Sequence, residues 1–328
     1  MKRLVPILAC LLALPVRAWQ APGQQPRHDD TPSIAPAADE YKQLPLDESE
    51  RATLREAVKA RDYARAELLL AGEIERNPKS QVLLTTVGGI FFLDGKYLNC
   101  AIAMKKADAL APLPDRDRFS LALSYIILNH RDSARPELEK LAKTDPRSPL
   151  YPYWLGRIDY DAMQFKDAEA HLQKALELDA KFMKAYDNLG LTYEALGEYD
   201  DAIRVYQQAI LMNRSQPAPS PWPPLNLGAL LVKLGKLAEA EVYLDESLKY
   251  EPRFPKAHYQ MGLMLEKQKK DEQACKELLE AARNDPSYPE PHYLLGEIYT
   301  RKGDKPKADA EWQTFQKLRL NSPQDRRH

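Results

Sequence analysis

Between residues 47 and 322 the hydrophobic positions fall at helical spacing, in paired segments that recur every 34 residues. The clearest stretch is 184–210, KAYDNLGLTYEALGEYDDAIRVYQQAI. With Met183 as position 1 of a unit, Tyr186 is at position 4, Leu189 and Gly190 at 7 and 8, Tyr193 at 11 and Gly197 at 15. Tyr199 follows at 17, Ala202 at 20, Tyr206 at 24 and Ala209 at 27. A period of this length predicts a stack of helical hairpins, each with a helix A and a helix B. Position 8 reads Leu54, Gly88, Ala122, Gly156, Gly190 and, after one step of 38, Gly228, Gly262 and Gly296. Position 20 reads Ala66, Cys100, Ala134, Ala168, Ala202, Ala240, Ala274 and Ala308. Position 32 holds Pro78, Pro112, Pro146, Pro252 and Pro286, with Ala180, Arg214 and Leu320 in the other units. Small residues at 8 and 20 let the two helices approach closely, and large apolar residues at 7, 11, 17 and 24 fill the space around them. Proline at 32 stops helix B because it lacks the N–H and clashes with the preceding turn. One hairpin cannot bury its apolar face alone, so stability accumulates from each unit and each interface.

The W/Y-x-x-L-G-x-x-Y, G-x-Y-x-x-A and Y-x-x-A elements stand in phase in residues 183–209, and the array resembles the tetratricopeptide repeat. The resemblance implies an all-α fold, a right-handed superhelix of eight units and about sixteen helices. The units run 47–80, 81–114, 115–148, 149–182, 183–216, 221–254, 255–288 and 289–322. It further implies a non-catalytic protein–protein interaction scaffold, whose concave groove is lined by helix A through positions 2, 5, 6, 9, 12 and 13. Position 5 reads Arg51, Thr85, Phe119, Tyr153, Asp187, Leu225, Tyr259 and Tyr293, and position 12 adds Phe92, Ile126 and Tyr160. Arg157 stands one helical turn from both Tyr153 and Tyr160. Aromatics with interspersed charge suit an extended peptide or a partner's amphipathic helix. The candidate contacts are therefore Phe92, Phe119, Tyr153, Arg157, Tyr160, Tyr259 and Tyr293. The alternative is that these rings pack between helices. Asn188 and Asn226 share position 6, where an amide can donate to and accept from a peptide main chain. The family's carboxylate clamp, Lys at 5 with Asn at 9, occurs in no unit, so a chaperone-tail type of partner is not expected.

Irregularities mark further candidates. Residues 215–224, SQPAPSPWPP, account for the four extra positions, and Pro223 and Pro224 predict that the next helix begins near Pro223. Trp222 either packs there as a hydrophobic staple or contacts a ligand. In the last unit Trp312, Phe315, Leu318 and Leu320 are followed by only eight residues, with Pro323 opposing another helix. That end is a candidate for self-association or partner docking through Trp312 and Phe315. The first unit has Leu54 at position 8, which suits a cap.

The N-terminus adds a location. Lys2 and Arg3, an apolar stretch from Leu4 to Val16, and Val16-Arg17-Ala18 read as a secretory signal peptide over 1–18. The expected location is periplasmic or secreted, without stable membrane insertion after cleavage. The alternative is an uncleaved N-terminal anchor. Cleavage removes Lys2, Arg3, Arg17 and no acid, taking the net charge from −1 to −4. Neither value supports a nucleic-acid partner, which needs a basic face. Residues 19–46, rich in Pro, Gln, Ala and Asp, read as a disordered linker, and 323–328 as a tail. Cys100 and Cys275 lie five units apart, too far for a disulfide, and are expected to be free thiols.

Catalytic chemistry is not signalled. HExxH, phosphate-loop, nucleophile-elbow and CxxC motifs are absent, and no cofactor is expected. His258 and His292 share position 4 of adjacent units, but no further ligand stands in phase, so packing is expected and no metal. The rival functions are a structural unit acting through its ends and an accessory subunit of a glycan-processing enzyme. An acid pair with raised pKa values deep in the groove would favour the latter.

Overall fold

The computed structural model describes residues 38–321, within which there are seventeen α-helices and no strand. The signal-peptide segment and the 323–328 tail lie outside the described residues. The chain divides into two compact units, one ending at Ile158 and one beginning at Asp159. In the first, α1 (Ala38–Gln43) precedes α2 (Glu48–Lys59), α3 (Tyr63–Arg76), α4 (Gln81–Leu93), α5 (Tyr97–Asp108), α6 (Asp115–Ile127) and α7 (Arg131–Thr144). Helix α8 (Leu150–Asp161) carries the junction. The second unit continues with α9 (Phe165–Leu178), α10 (Met183–Leu196), α11 (Tyr199–Arg214), α12 (Trp222–Lys233) and α13 (Leu237–Tyr250). It ends with α14 (Pro255–Lys267), α15 (Asp271–Asn284), α16 (Pro289–Arg301) and α17 (Lys305–Asn321). Within each unit, consecutive helices pack as A–B hairpins, for example α4 on α5 and α14 on α15.

Three features of the repeat set this geometry. The A-to-B bend places position 15 in the left-handed region in all eight hairpins. It is Gly95, Gly197, Gly235 and Gly303 in four and Arg61, Asn129, Met163 and Lys269 in the others. A side chain there costs roughly 1 kcal/mol, so only half the repeats use the relaxed residue. Next, position 8 faces position 24 across the hairpin. A Cβ at Gly228 would lie 2.8 Å from a methyl of Leu244, and one at Gly262 2.7 Å from Leu278. At Gly190 it would overlap the ring of Tyr206. Where position 8 is larger, as Ala122, position 24 is Leu138, and both are fully buried.

The third feature is a polar clasp from position 4 to position 23. Arg118 donates to Glu137 at 2.6 Å, His258 Nδ1 lies 2.7 Å from Glu277, and His292 Nδ1 lies 2.6 Å from Glu311. Each histidine thus serves its own hairpin. His258 also directs Nε2 at the carbonyl of Pro252, 3.0 Å away, so the imidazolium satisfies both partners at once. The hydrogen bond to Glu277 raises the His258 pKa, outweighing the opposing effect of burial. A raised folded pKa makes the clasp fully effective below the unfolded value, about 6.5, and lost as pH rises through the folded value. His258→Gln is therefore expected to cost about 1.5 kcal/mol near pH 6 and less above neutrality. Urea titrations across pH 5.5–8.5 read this directly; a pH-independent difference would refute it.

Residues 19–37 of the expected disordered linker lie outside the described residues, and its last part, 38–46, is folded. Residues 38–43 are helical, and Tyr41, Leu44 and Leu46 are buried with Leu54, Leu83 and Val87. The polar, proline-rich average of 19–46 hides three apolar residues that enter one core, Tyr41 from the helix and Leu44 and Leu46 from the turn after it. Cys100 is a buried free thiol, with its pKa pushed up to about 12 by burial, and Cys275 is free and half-buried.

Candidate protein-binding face

The position-5 aromatics do not form one open stripe. In the first unit Phe119 is 1% exposed and Tyr153 2%, so both are core residues instead of groove contacts. Phe119 turns its edge to Tyr151 at the start of the following repeat, with ring centroids 5.9 Å apart, and Tyr153 meets Trp154 at 5.5 Å. Arg157 is already engaged, lying over the Trp154 ring at 4.8 Å and the Tyr153 ring at 6.0 Å. Phe92 is half-buried against Tyr97, centroids 5.3 Å apart, an edge contact from position 12 to position 17 at the hairpin bend.

In the second unit Tyr160 makes the same 12-to-17 contact, with Phe165 at 5.5 Å. Tyr259 packs on Tyr288, the residue that precedes the next helix A, at 5.4 Å. Trp222 starts α12, so it is not the residue before the cap that a hydrophobic staple uses; it meets Phe254 at the start of the next helix A edge-on at 5.0 Å, with Lys256 Nζ 4.7 Å above its ring. Burial there lowers the Lys256 pKa. The insertion itself is closed by Asn213, which donates to the Ser220 carbonyl and accepts from its N–H, at 2.8 and 2.7 Å. Ser247 Oγ donates to the Pro221 carbonyl at 2.8 Å. At the end of the array Tyr293 is 42% exposed and forms a three-ring group with Trp312 and Phe315, at 5.2 and 5.3 Å.

The two asparagines are not a free ladder. Asn188 Nδ2 donates to the Lys184 carbonyl of its own helix at 2.8 Å. Asn226 Nδ2 donates to Asp187 Oδ1 at 2.9 Å, tying position 6 of one repeat to position 5 of the one before. This bond is part of a polar group that the aromatic pattern missed. Lys233 Nζ lies 3.2 Å from Glu194 and 5.1 Å over the Tyr199 ring. The Tyr160 pKa is raised by burial and then by Glu194, against a lowering by Lys233. The Tyr206 hydroxyl, fully buried, has no hydrogen-bond partner among the described residues. Burial, followed by the charges of Asp187 and Glu194, raises its pKa well above the ordinary value. Tyr160, Asp187, Glu194, Asn226 and Lys233 hold positions 12, 5, 12, 6 and 13, so helix-A periodicity alone could have nominated them. Each is partly exposed or open to solvent.

Among the described residues, no group of three or more His, Cys, Asp or Glu side chains is arranged to hold a metal ion. Two carboxylates with raised pKa values, Glu67 and Asp245, lie on helices B, each raised first by burial. No described helix is long and apolar enough to cross a membrane.

Helix pairs that recur in a 34-residue frame with one step of 38, most of them with glycine at position 8, define an α-helical repeat protein. Two tetratricopeptide repeat models match the sequence, one over residues 185–218 and the other over 119–181 and 225–289. The chain belongs to the tetratricopeptide repeat family, whose fold serves protein–protein interaction. No curated protein matches the sequence. Solved structures share the fold. A tetratricopeptide repeat protein from Parabacteroides merdae ATCC 43184 is 18% identical, with a TM-score of 0.62 over 84% of this chain and 99% of its own. The Cut9-Hcn1 hetero-tetramer of APC/C is 19% identical, with a TM-score of 0.60 over 79% of this chain, which spans only 50% of that one. PilW, a type IV pilus biogenesis factor, is 19% identical, with a TM-score of 0.57 over 64% of this chain and 95% of its own.

Proposed function

We propose that the chain is an exported, non-catalytic scaffold that holds an extended segment or helix of a partner protein on a helix-A face of its second unit. The observation that carries the reading is the grouping of Tyr160, Asp187, Glu194, Asn226 and Lys233. Asn226 pairs with Asp187 and Lys233 with Glu194, and on this partly exposed face those pairs, with Tyr160, can exchange their bonds for peptide N–H and C=O groups and for side chains of either charge. Export, to the periplasm or beyond, rests on the Lys2-Arg3, Leu4–Val16 and Ala18 pattern, and a role in envelope assembly or secretion rests on export. Affinity capture from envelope extract tests the reading, with the wild type run beside Tyr160→Ala/Lys233→Ala. Retention by the wild type and at least about tenfold loss by the variant is the expected result, as for truncated anchor residues. Equal retention by both would sink the groove reading. The exposed Tyr293 ring favours a second reading, action through the array end. In that case Trp312→Ala abolishes capture or self-association while the Tyr160 variant leaves it intact.

A further inference from the structure

Helix α4 is apolar on every side. Its sequence, QVLLTTVGGIFFL, contains no charged residue, and Leu83 to Phe91 are buried without a break. A helix A with one free face should alternate between apolar and polar stripes. Helix α16 does so, with Glu290, Tyr293, Glu297 and Arg301 exposed beside buried Leu294 and Leu295. Helices α3, α5 and α6 pack on α4, and the chain's own residues 38–46 complete its cover. Helix α1 packs on both α2 and α4. Tyr41, Leu44 and Leu46 are 5%, 4% and 6% exposed and share one core with Leu84, Val87 and Phe91.

The contacts fall on the positions that line a repeat groove. Arg51, at position 5, donates through Nη1 to the Lys42 carbonyl at 3.4 Å. Arg55, at position 9, lies 5.5 Å from the centre of the Tyr41 ring. In the next repeat Thr85, Thr86 and Gly89, at positions 5, 6 and 9, are buried. We infer that residues 38–46 are a tethered occupant of the groove of repeats 1 and 2. That stretch of groove is a recognition site for a short helix with an aromatic anchor, followed by a turn with leucines three and five residues after the aromatic. The segment runs directly into the capping box at the start of α2, where Glu50 N–H donates to Asp47 at 2.8 Å and Asp47 N–H to Glu50 at 3.0 Å. So short a tether gives the segment a high effective concentration, and a partner carrying the same pattern is excluded while it is in place. The inference stands on the contacts of α1 and does not require the second-unit face to bind anything.

The test uses the full chain and a fluorescent synthetic peptide of residues 36–48. Fluorescence anisotropy compares wild type with Tyr41→Ala/Leu44→Ala/Leu46→Ala. The peptide should bind the variant at least roughly tenfold more tightly than wild type, because the competing cis segment has lost its anchors. A peptide with Tyr41→Ala should lose that binding. Should the triple variant lose helicity by circular dichroism, Tyr41→Ala alone gives the same comparison with a smaller ratio. Equal binding to wild type and a folded variant, or no binding to a folded variant at millimolar peptide, overturns the inference.

Discussion

Gly190→Ala is expected to destabilise the chain by about 3 kcal/mol, the upper range for forcing volume into a packed core. The added methyl would overlap the Tyr206 ring. That ring cannot step aside: Tyr206 is fully buried and held among Ala202, Ile210 and Leu227. The backbone cannot yield cheaply either, since α10 and α11 are the two arms of one hairpin. Tyr206→Leu should relieve the overlap. The repeat of Ala122 shows the pairing, with an alanine at position 8 and Leu138 at position 24, both fully buried. The double variant Gly190→Ala/Tyr206→Leu should therefore recover most of the loss and also remove a buried hydroxyl without a partner. Urea denaturation followed by circular dichroism measures the coupling. Additive losses in the double variant would show that the hairpin spacing is not set by this pair.

The same pair shows why the fold is legible in the amino-acid sequence. Stacked hairpins need a small residue where two helices cross, and the requirement recurs with each copy. Gly and Ala at positions 8 and 20, with prolines at 32, therefore announce the period. The positive φ at position 15 is only half visible. Gly95, Gly197, Gly235 and Gly303 signal it, whereas Arg61, Asn129, Met163 and Lys269 accept the strain because the rest of the bend leaves no alternative. Helix α1 is hidden for a different reason: six residues carry too few apolar positions to stand out from a polar segment, and burial by α2 and α4 supplies what propensity does not.

The site is less legible than the fold, and the reason is geometric. Position 5 lies where the groove face meets the next repeat, so one spacing describes both a contact surface and a packing contact. Phe119 turns towards Tyr151 at the start of the following repeat, and Tyr259 towards Tyr288, which caps the following helix A. Tyr293 belongs to the last repeat and stays 42% exposed, packing on Trp312 and Phe315 of its own hairpin instead. Asn188 and Asn226 have the right chemistry for a peptide, but Lys184 and Asp187 stand within reach of their amides. The residues that the aromatic pattern passes over, Asp187, Glu194 and Lys233, are charges at helix-A positions. Such charges look like a solvated face until neighbouring repeats bring them together.

Arg118→Met is expected to cost about 3 kcal/mol, the low end for breaking a buried ion pair. Arg118 is held by Glu137 at 2.6 Å and Asp108 at 3.1 Å, and both Arg118 and Glu137 are buried. Removing the guanidinium leaves Glu137 in the core with Lys140, 3.2 Å away and half-exposed, as a weaker balance. Asp108 suffers less. Burial pushes its pKa up, but the Leu113 N–H and Arg118 outweigh that and hold it low, and the first of these survives the substitution. Most of the cost therefore comes from the stranded carboxylate and not from the lost attraction, because desolvation of both ions nearly offsets their pairing. The repeat of Tyr186 carries Val205 at the position equivalent to Glu137, so the architecture accepts a pair without charge there. Arg118→Met/Glu137→Leu should accordingly lie within about 1 kcal/mol of wild type in urea. A double variant as weak as Arg118→Met would mean that the clasp itself, and not the avoidance of a buried charge, holds α6 to α7.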